Sequence, residues 1–274
     1  MKALVKNLIT NQLVVSFKKA KQTIESLFFK GKNYECPFCG GKYRKLLPGG
    51  EDLPFFKKNK IIGGGRRTNM LCPRCHSTDR DRLIYYYLYS NALLSKSNIS
   101  LLHIAPEPSL KKYLKKLSNI AYTCGDKFDK GYDGFYYDKD TISLDLTSLS
   151  FSDNSFDIVI CNHVLEHIVN EKQALNEIYR VLKPDGWAIL QVPIASELVQ
   201  TIEDNAESDE KRALLYGQRD HIRLYGLDYL SRLKKHGFIV QDWSPAKHID
   251  QNLLNKYAIN ASEKVFIASK VINS

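Results

Sequence analysis

Residues 141–168, TISLDLTSLSFSDNSFDIVICNHVLEHI, constrain the fold more than any other stretch. They hold two short apolar runs, each ending in polar residues, the pattern of a parallel-sheet strand whose carboxyl end opens into a ligand crevice. Residues 142–146 are one predicted strand and 156–161 the next, with Ser152-Asp153-Asn154-Ser155 as turn chemistry between them. Two strand ends should therefore lie side by side, presenting Asp145 and Asn162-His163, with residues 164–168 opening a helix.

The same alternation extends in both directions. Residues 99–105 read as a strand, 108–117 as a helix with Pro at its start, and 119–124 as a strand ending at Gly125-Asp126. Ala174, Ile178 and Leu182 repeat at helical spacing over 171–182, and Lys183-Pro184-Asp185-Gly186 then turns into a strand at 187–192. A helix at 227–236 stopped by Gly237, a strand at 238–243 and a last strand at 264–271 complete the pattern. Repeated βα units with short connections predict an α/β fold, a Rossmann-like sheet with helices on both faces. The polar stretch at about 194–226 is too long for a simple connection, and an insertion at the carboxyl end of a strand is where substrate-binding residues usually sit.

The amino-terminal third is different in character. Residues 1–90 carry 18 Lys and Arg against 6 Asp and Glu, whereas residues 91–274 carry 22 against 24, so the net charge of +10 belongs to the first third. Such an asymmetry fits an acidic partner or a solvated basic face. Val5, Ile9, Leu13, Phe17, Ala20, Ile24 and Leu27 recur at spacings of three and four, and Lys2, Lys6, Lys18, Lys19, Lys21 and Lys30 occupy the other faces. This predicts a basic amphipathic helix over residues 1–31, suited either to peripheral membrane contact or to packing on this protein or a second copy. No apolar run approaches the ~18 residues of a transmembrane segment, and no signal-peptide h-region is evident, so the expected location is cytoplasmic.

Cys36-Pro37-Phe38-Cys39 is followed by Cys72-Pro73-Arg74-Cys75-His76. Two residues between thiolates let both sulfurs reach ~2.3 Å from one ion, so the paired knuckles predict a structural zinc centre at Cys36, Cys39, Cys72 and Cys75. His76 is a competing ligand, and the gap is longer than in a usual zinc ribbon. The loop between the knuckles mixes Lys42, Arg44, Lys45, Lys57, Lys58, Lys60, Arg66 and Arg67 with Tyr43, Phe55 and Phe56, a blend that can grip RNA or remain a soluble loop. The expected organisation is a leading helix (1–31), a zinc module (32–78), a linking helix (79–98) capped by Ser77 or Thr78, and a main domain (99–274) with its insertion.

The run from Asp145 through NSFDIVIC, HVLEHI, ALNEIYRVLKPDG and WAILQVP resembles the class I S-adenosylmethionine-dependent methyltransferases, of the type 11 kind. The resemblance covers about residues 99–271 and implies a seven-stranded sheet whose final strand, KVFIASKV, is antiparallel. It also implies that Asp126 takes the cofactor ribose hydroxyls and Asp145 the adenine amino group, with the Leu146 amide beside it. Ala105, Glu107 and Ser109 in the first turn and Asn162 after the fourth strand would complete the cofactor pocket, Glu107 pairing with the methionine ammonium and Ser109 facing its carboxylate. The first turn, LHIAPEPS, lacks the family's glycines, which leaves open a domain that no longer binds cofactor. His163 and His221 are the expected catalytic bases, and Arg219, Asp220, Arg223 and Tyr225 the expected substrate wall. The implied reaction is methyl transfer to an oxygen or nitrogen acceptor on a small molecule or glycan. RNA methylation and a non-catalytic zinc-containing binding protein are the alternatives.

Overall fold

Seven of the apolar runs become strands of one sheet: β1 (Ile99–Ile104), β2 (Ile120–Asp126), β3 (Thr141–Ser143), β4 (Phe156–Asn162), β5 (Leu182–Gln191), β6 (Ile239–Trp243) and β7 (Val265–Ser269). The computed structural model describes residues 16–128, 139–203 and 207–271. Hydrogen-bonded neighbours run in the order β6-β7-β5-β4-β1-β2-β3. Pairs among β1 to β5 are parallel, and β7 lies antiparallel to both β5 and β6, as the resemblance implied. The chain winds outward from β1 to β3 and restarts at β4 on the other side, so the topological switch lies between β1 and β4, where an open α/β sheet holds its ligand crevice.

Alternate side chains of each strand serve opposite faces. Leu102 and Ile104 of β1, Val159 and Cys161 of β4 and Ala188 and Leu190 of β5 pack with Ala174, Leu175, Ile178 and Val181 of α3 (Glu171–Val181). Leu101, Ile158, Ile160 and Ile189 face the other way, against Leu83, Ile84 and Leu88 of α1 (Asp79–Ser90) and Leu110 and Leu114 of α2 (Pro108–Leu114). Each such Leu, Ile or Val side chain contributes about 1.5–3 kcal/mol by leaving water. Thr78 caps α1 in a reciprocal box with Asp81: its hydroxyl accepts from the Asp81 amide at 3.1 Å, and Asp81 accepts from the Thr78 amide at 3.0 Å.

The shortening of two predicted elements has an identifiable cause. β3 stops at Ser143 because Asp145 closes a side-chain turn, accepting from the Thr147 amide at 2.8 Å and the Thr147 hydroxyl at 2.6 Å. The helix expected after β4 is only a single 3₁₀ turn, Leu165–His167. The carbonyls that would continue it are taken by the inserted segment: Arg223 donates to Leu165 and Ile168, and the Ile222 amide to Glu166.

Around the cysteines, the strand Lys30–Glu35 pairs with Lys42–Tyr43, and Leu47–Gly49 pairs with Arg67–Leu71, all antiparallel. This module is stitched to the main domain twice. Ile61–Ile62 pairs with Ile194–Ala195 of the insertion, and the fully buried Arg82 donates to Met70 and Ser77 on one side and Tyr257 and Ala258 on the other. Ahead of the module a helix occupies residues 16–28, with Phe17, Ile24, Leu27 and Phe28 exposed. The helical positions Val5, Ile9 and Leu13 lie outside the described residues. No helix among the described residues is long and apolar enough to cross a membrane.

Candidate active site and four-cysteine centre

The first turn keeps a glycine-like backbone without a glycine. Ala105, directly after β1, has φ 47°, in the left-handed region, a conformation that costs an L-residue about 1–2 kcal/mol. Its amide donates to Gly125 at 2.9 Å, which holds the turn against β2. Two residues on, the Glu107 carboxylate bridges strands: it meets His103 Nε2 at 2.8 Å and accepts from Asn162 Nδ2 at 3.0 Å. Burial opposes its charge, but the hydrogen bond and charge of His103, followed by Asn162, hold the carboxyl below the usual glutamate value. Asn162 Oδ1 is buried without a partner among the described residues, an acceptor ready for a ligand's donor. Ser109 departs from its expected place, because its hydroxyl donates to the Cys75 carbonyl at 3.2 Å and ties α2 to the cysteine knuckle.

Asp126 closes β2, and its carboxylate accepts from the Lys127 amide at 2.8 Å. The Leu144 amide donates to the Asp126 carbonyl at 3.0 Å, bringing Asp145 to the neighbouring strand end. The Thr147 hydrogen bonds, assisted by Lys127, hold the Asp145 carboxyl below its usual value, so it is an ionised acceptor. Leu146 beside it is buried.

On the other side of the switch point His163 also has positive φ, 54°, while its amide extends the ladder to Gln191 at 2.7 Å. The ring lies between Arg80, whose Nη1 touches Nε2, and Glu166, whose Oε1 is 3.3 Å from Nδ1. A guanidinium only donates, so Nε2 is the acceptor and the ring proton sits on Nδ1 facing Glu166. Burial, then the Arg80 charge, pulls the His163 pKa down, which keeps the ring neutral. Arg80 also donates to the Gly63 carbonyl at 3.1 Å, and a Cβ built on Gly63 would lie 3.3 Å from His163 Cε1, so the module loop roofs this histidine.

The expected substrate wall divides in two. Arg219 and Asp220 are exposed, whereas Arg223 and Tyr225 are interior struts: Arg223 holds the turn after β4 and pairs with Glu203 at 3.1 Å, and the Tyr225 hydroxyl donates to Glu171 at 2.6 Å. Placing either against a substrate is corrected by this burial. His221 is buried beside His167, ring centroids 4.8 Å apart. Arg80 and His103 have no motif that marks them in the sequence. The one available signal was the alternation Asp79-Arg80-Asp81-Arg82, too densely charged for a helix start that packs inward.

The four cysteine ligand atoms lie within 4.8 Å of one another. Cys36 and Cys75 sulfurs are 3.5 Å apart and Cys39 and Cys72 sulfurs 3.6 Å, too far for disulfides at ~2.05 Å and close to the edge of a tetrahedron of ~2.3 Å metal–sulfur bonds. Four sulfurs at tetrahedral-edge spacing, all on soft thiolate ligands, fit zinc. His76 turns away to Glu25 at 3.6 Å.

Residues 112–190 match the family model described as a methyltransferase domain. An uncharacterized protein of Methanocaldococcus jannaschii is 36% identical over 110 residues, covering 33% of this chain and 48% of that protein. An arsenite methyltransferase of Aquipseudomonas alcaligenes is 32% identical over 116 residues, covering 41% and 32% respectively. The chain thus spans about half or less of the length of these curated relatives. Among solved structures, the YcgJ protein from Bacillus subtilis is similar with a TM-score of 0.43 and 14% identity over 67% of this chain and 98% of that one, too remote to bear on function. The sheet order with its antiparallel β7, together with the family match across β2 to β5, makes residues 112–190 part of a methyltransferase domain.

Proposed function

We propose that this chain transfers a methyl group from S-adenosylmethionine to an oxygen or nitrogen acceptor on a small molecule or sugar, and that Zn²⁺ at Cys36, Cys39, Cys72 and Cys75 is structural. The observation that carries the cofactor reading is the adjacent pair of strand-end carboxylates, Asp126 and Asp145, beside the left-handed turn at Ala105. When bound, S-adenosylmethionine supplies a methyl group already activated on a sulfonium. Asp126 would accept from the ribose hydroxyls and Asp145 from the adenine amine. Ionised Glu107 and the unpartnered Asn162 Oδ1 would receive the ammonium. The chain's remaining task is alignment in a dry pocket, worth ~7–11 kcal/mol when good.

His163 and His221 stand on the acceptor side. Neutral His163 can take a proton at Nε2 once an incoming acceptor displaces Arg80, and Arg80 is then free to hold an anionic part of that acceptor. The roof of Gly63 over His163 favours a small acceptor over RNA. So does the pairing of four of the loop's eight cations: Lys42 with Glu35, Lys57 with Asp52, Lys60 with Glu197 and Arg67 with Asp79. Incubation with S-adenosylmethionine and a panel of hydroxylated sugars and amines should release S-adenosylhomocysteine with the native chain and far less with Asp126→Ala. Turnover on RNA with none on the panel would overturn the acceptor class.

A further inference from the structure

Where the turn after β4 meets the inserted segment, Glu166, His167 and His221 converge, one ligand atom from each within 4.8 Å of the others. Two of the three are deep, Glu166 at 1% exposure and His221 at 5%, and yet Glu166 Oε2 and His221 Nδ1 have no hydrogen-bond partner among the described residues. Buried polar atoms are ordinarily paired, and two orphans in one gap call for a shared occupant.

The far nitrogens of both rings are occupied in the manner of metal-bound histidines. His167 donates from Nδ1 to the Asp220 carbonyl at 3.1 Å, with the Asp220 carboxylate at 3.3 Å, which leaves Nε2 as the bare lone pair. His221 is hydrogen-bonded to the Tyr216 backbone. Because Nδ1 is the unpartnered atom, Nε2 makes that bond and Nδ1 keeps its lone pair. Carbonyl and carboxylate partners of this kind fix the tautomer and orientation that ligation needs. The other Glu166 oxygen faces His163, so both of its oxygens have defined tasks.

We propose that Glu166, His167 and His221 form a divalent transition-metal site on the acceptor side of the crevice, separate from the four-cysteine centre. Two imidazoles and one carboxylate suit Zn²⁺ and its surrogate Co²⁺, not Mg²⁺, which prefers oxygen and water. Three protein ligands leave a position open, reached from the side where the His167 side chain is 32% exposed. That position takes an oxygen of the acceptor, a clause that rests on the methyltransfer reading, whereas the metal site itself does not.

The test uses the full chain carrying its resident zinc, washed with EDTA, freed of chelator and titrated with Zn²⁺ and then Co²⁺. Calorimetry should find one further equivalent, and the Co²⁺ complex should show visible d–d absorption without a thiolate charge-transfer band. His167→Gln, at the most exposed ligand, should weaken uptake at least ~10-fold. No further equivalent, or unchanged affinity in folded His167→Gln, overturns the site. If that variant misfolds, the native Co²⁺ spectrum decides, because thiolate bands on the added equivalent place it on cysteine and overturn the proposal. Metal uptake is read without cofactor, so its failure is distinguishable from failure to bind S-adenosylhomocysteine.

Discussion

Arg82 is the side chain on which the union of module and domain most depends. It is 0% exposed and donates to Ser77 at 2.8 Å, Met70 at 3.0 Å, Ala258 at 3.1 Å and also to Tyr257, carbonyls that lie on both sides of the junction. Hydrogen bonds from a charged donor stabilise by about 1.5–3 kcal/mol each. Desolvating the guanidinium costs several kcal/mol in return, so Arg82→Met should destabilise by about 3 kcal/mol net. At ~2–4 °C per kcal/mol for a chain of this size, Tm should fall by roughly 6–12 °C. Arg82→Lys keeps the charge but lacks the planar fork that reaches both sides, and should fall between. Thermal unfolding with limited proteolysis of residues 30–78 reads both effects. An Arg82→Met protein within ~0.5 kcal/mol of the native chain would refute the reasoning.

Ala105→Gly removes the strain of a left-handed L-residue and should stabilise by about 0.5–1 kcal/mol, read as a higher denaturant midpoint. Glu177 is held below its usual value of 4.5 chiefly by hydrogen bonds from Arg180, then by the Leu149 amide. Its folded pKa is depressed, so its contribution is present above the unfolded value and lost as pH falls through the folded one. Glu177→Gln should therefore melt below the native chain at pH 7, with the gap closing in acid. Cys72→Ser should lose the chelator-resistant zinc and leave the module protease-sensitive, checked by elemental analysis and digestion; full zinc retention would contradict the four-cysteine assignment.

The sheet was legible because β1, β4 and residues 188–191 of β5 are buried on both faces and therefore appear as nearly continuous apolar runs. The cysteine centre was legible because ligand spacing is local. What was not legible is non-local. Nothing near Ile61 announces that two residues will pair with Ile194 and Ala195 across the chain. The helix predicted after β4 loses to Arg223, whose long reach to Leu165 and Ile168 has no sequence period. The charged and aromatic residues of 219–225 read as a substrate wall because their types suit one, yet Arg223 and Tyr225 found partners in Glu203 and Glu171 and were buried. His103 and Glu107 sit four apart across a turn, a spacing ordinarily read on helices, so their pairing was missed.

Calorimetric titration of the full chain with S-adenosylhomocysteine bears most directly on whether Asp126, Asp145 and the Ala105 turn form a working cofactor site. The native chain should bind one equivalent, with Asp126→Ala weakened by about 10- to 100-fold, the cost of one or more charged hydrogen bonds. No heat of binding by well-folded native protein would contradict the assignment.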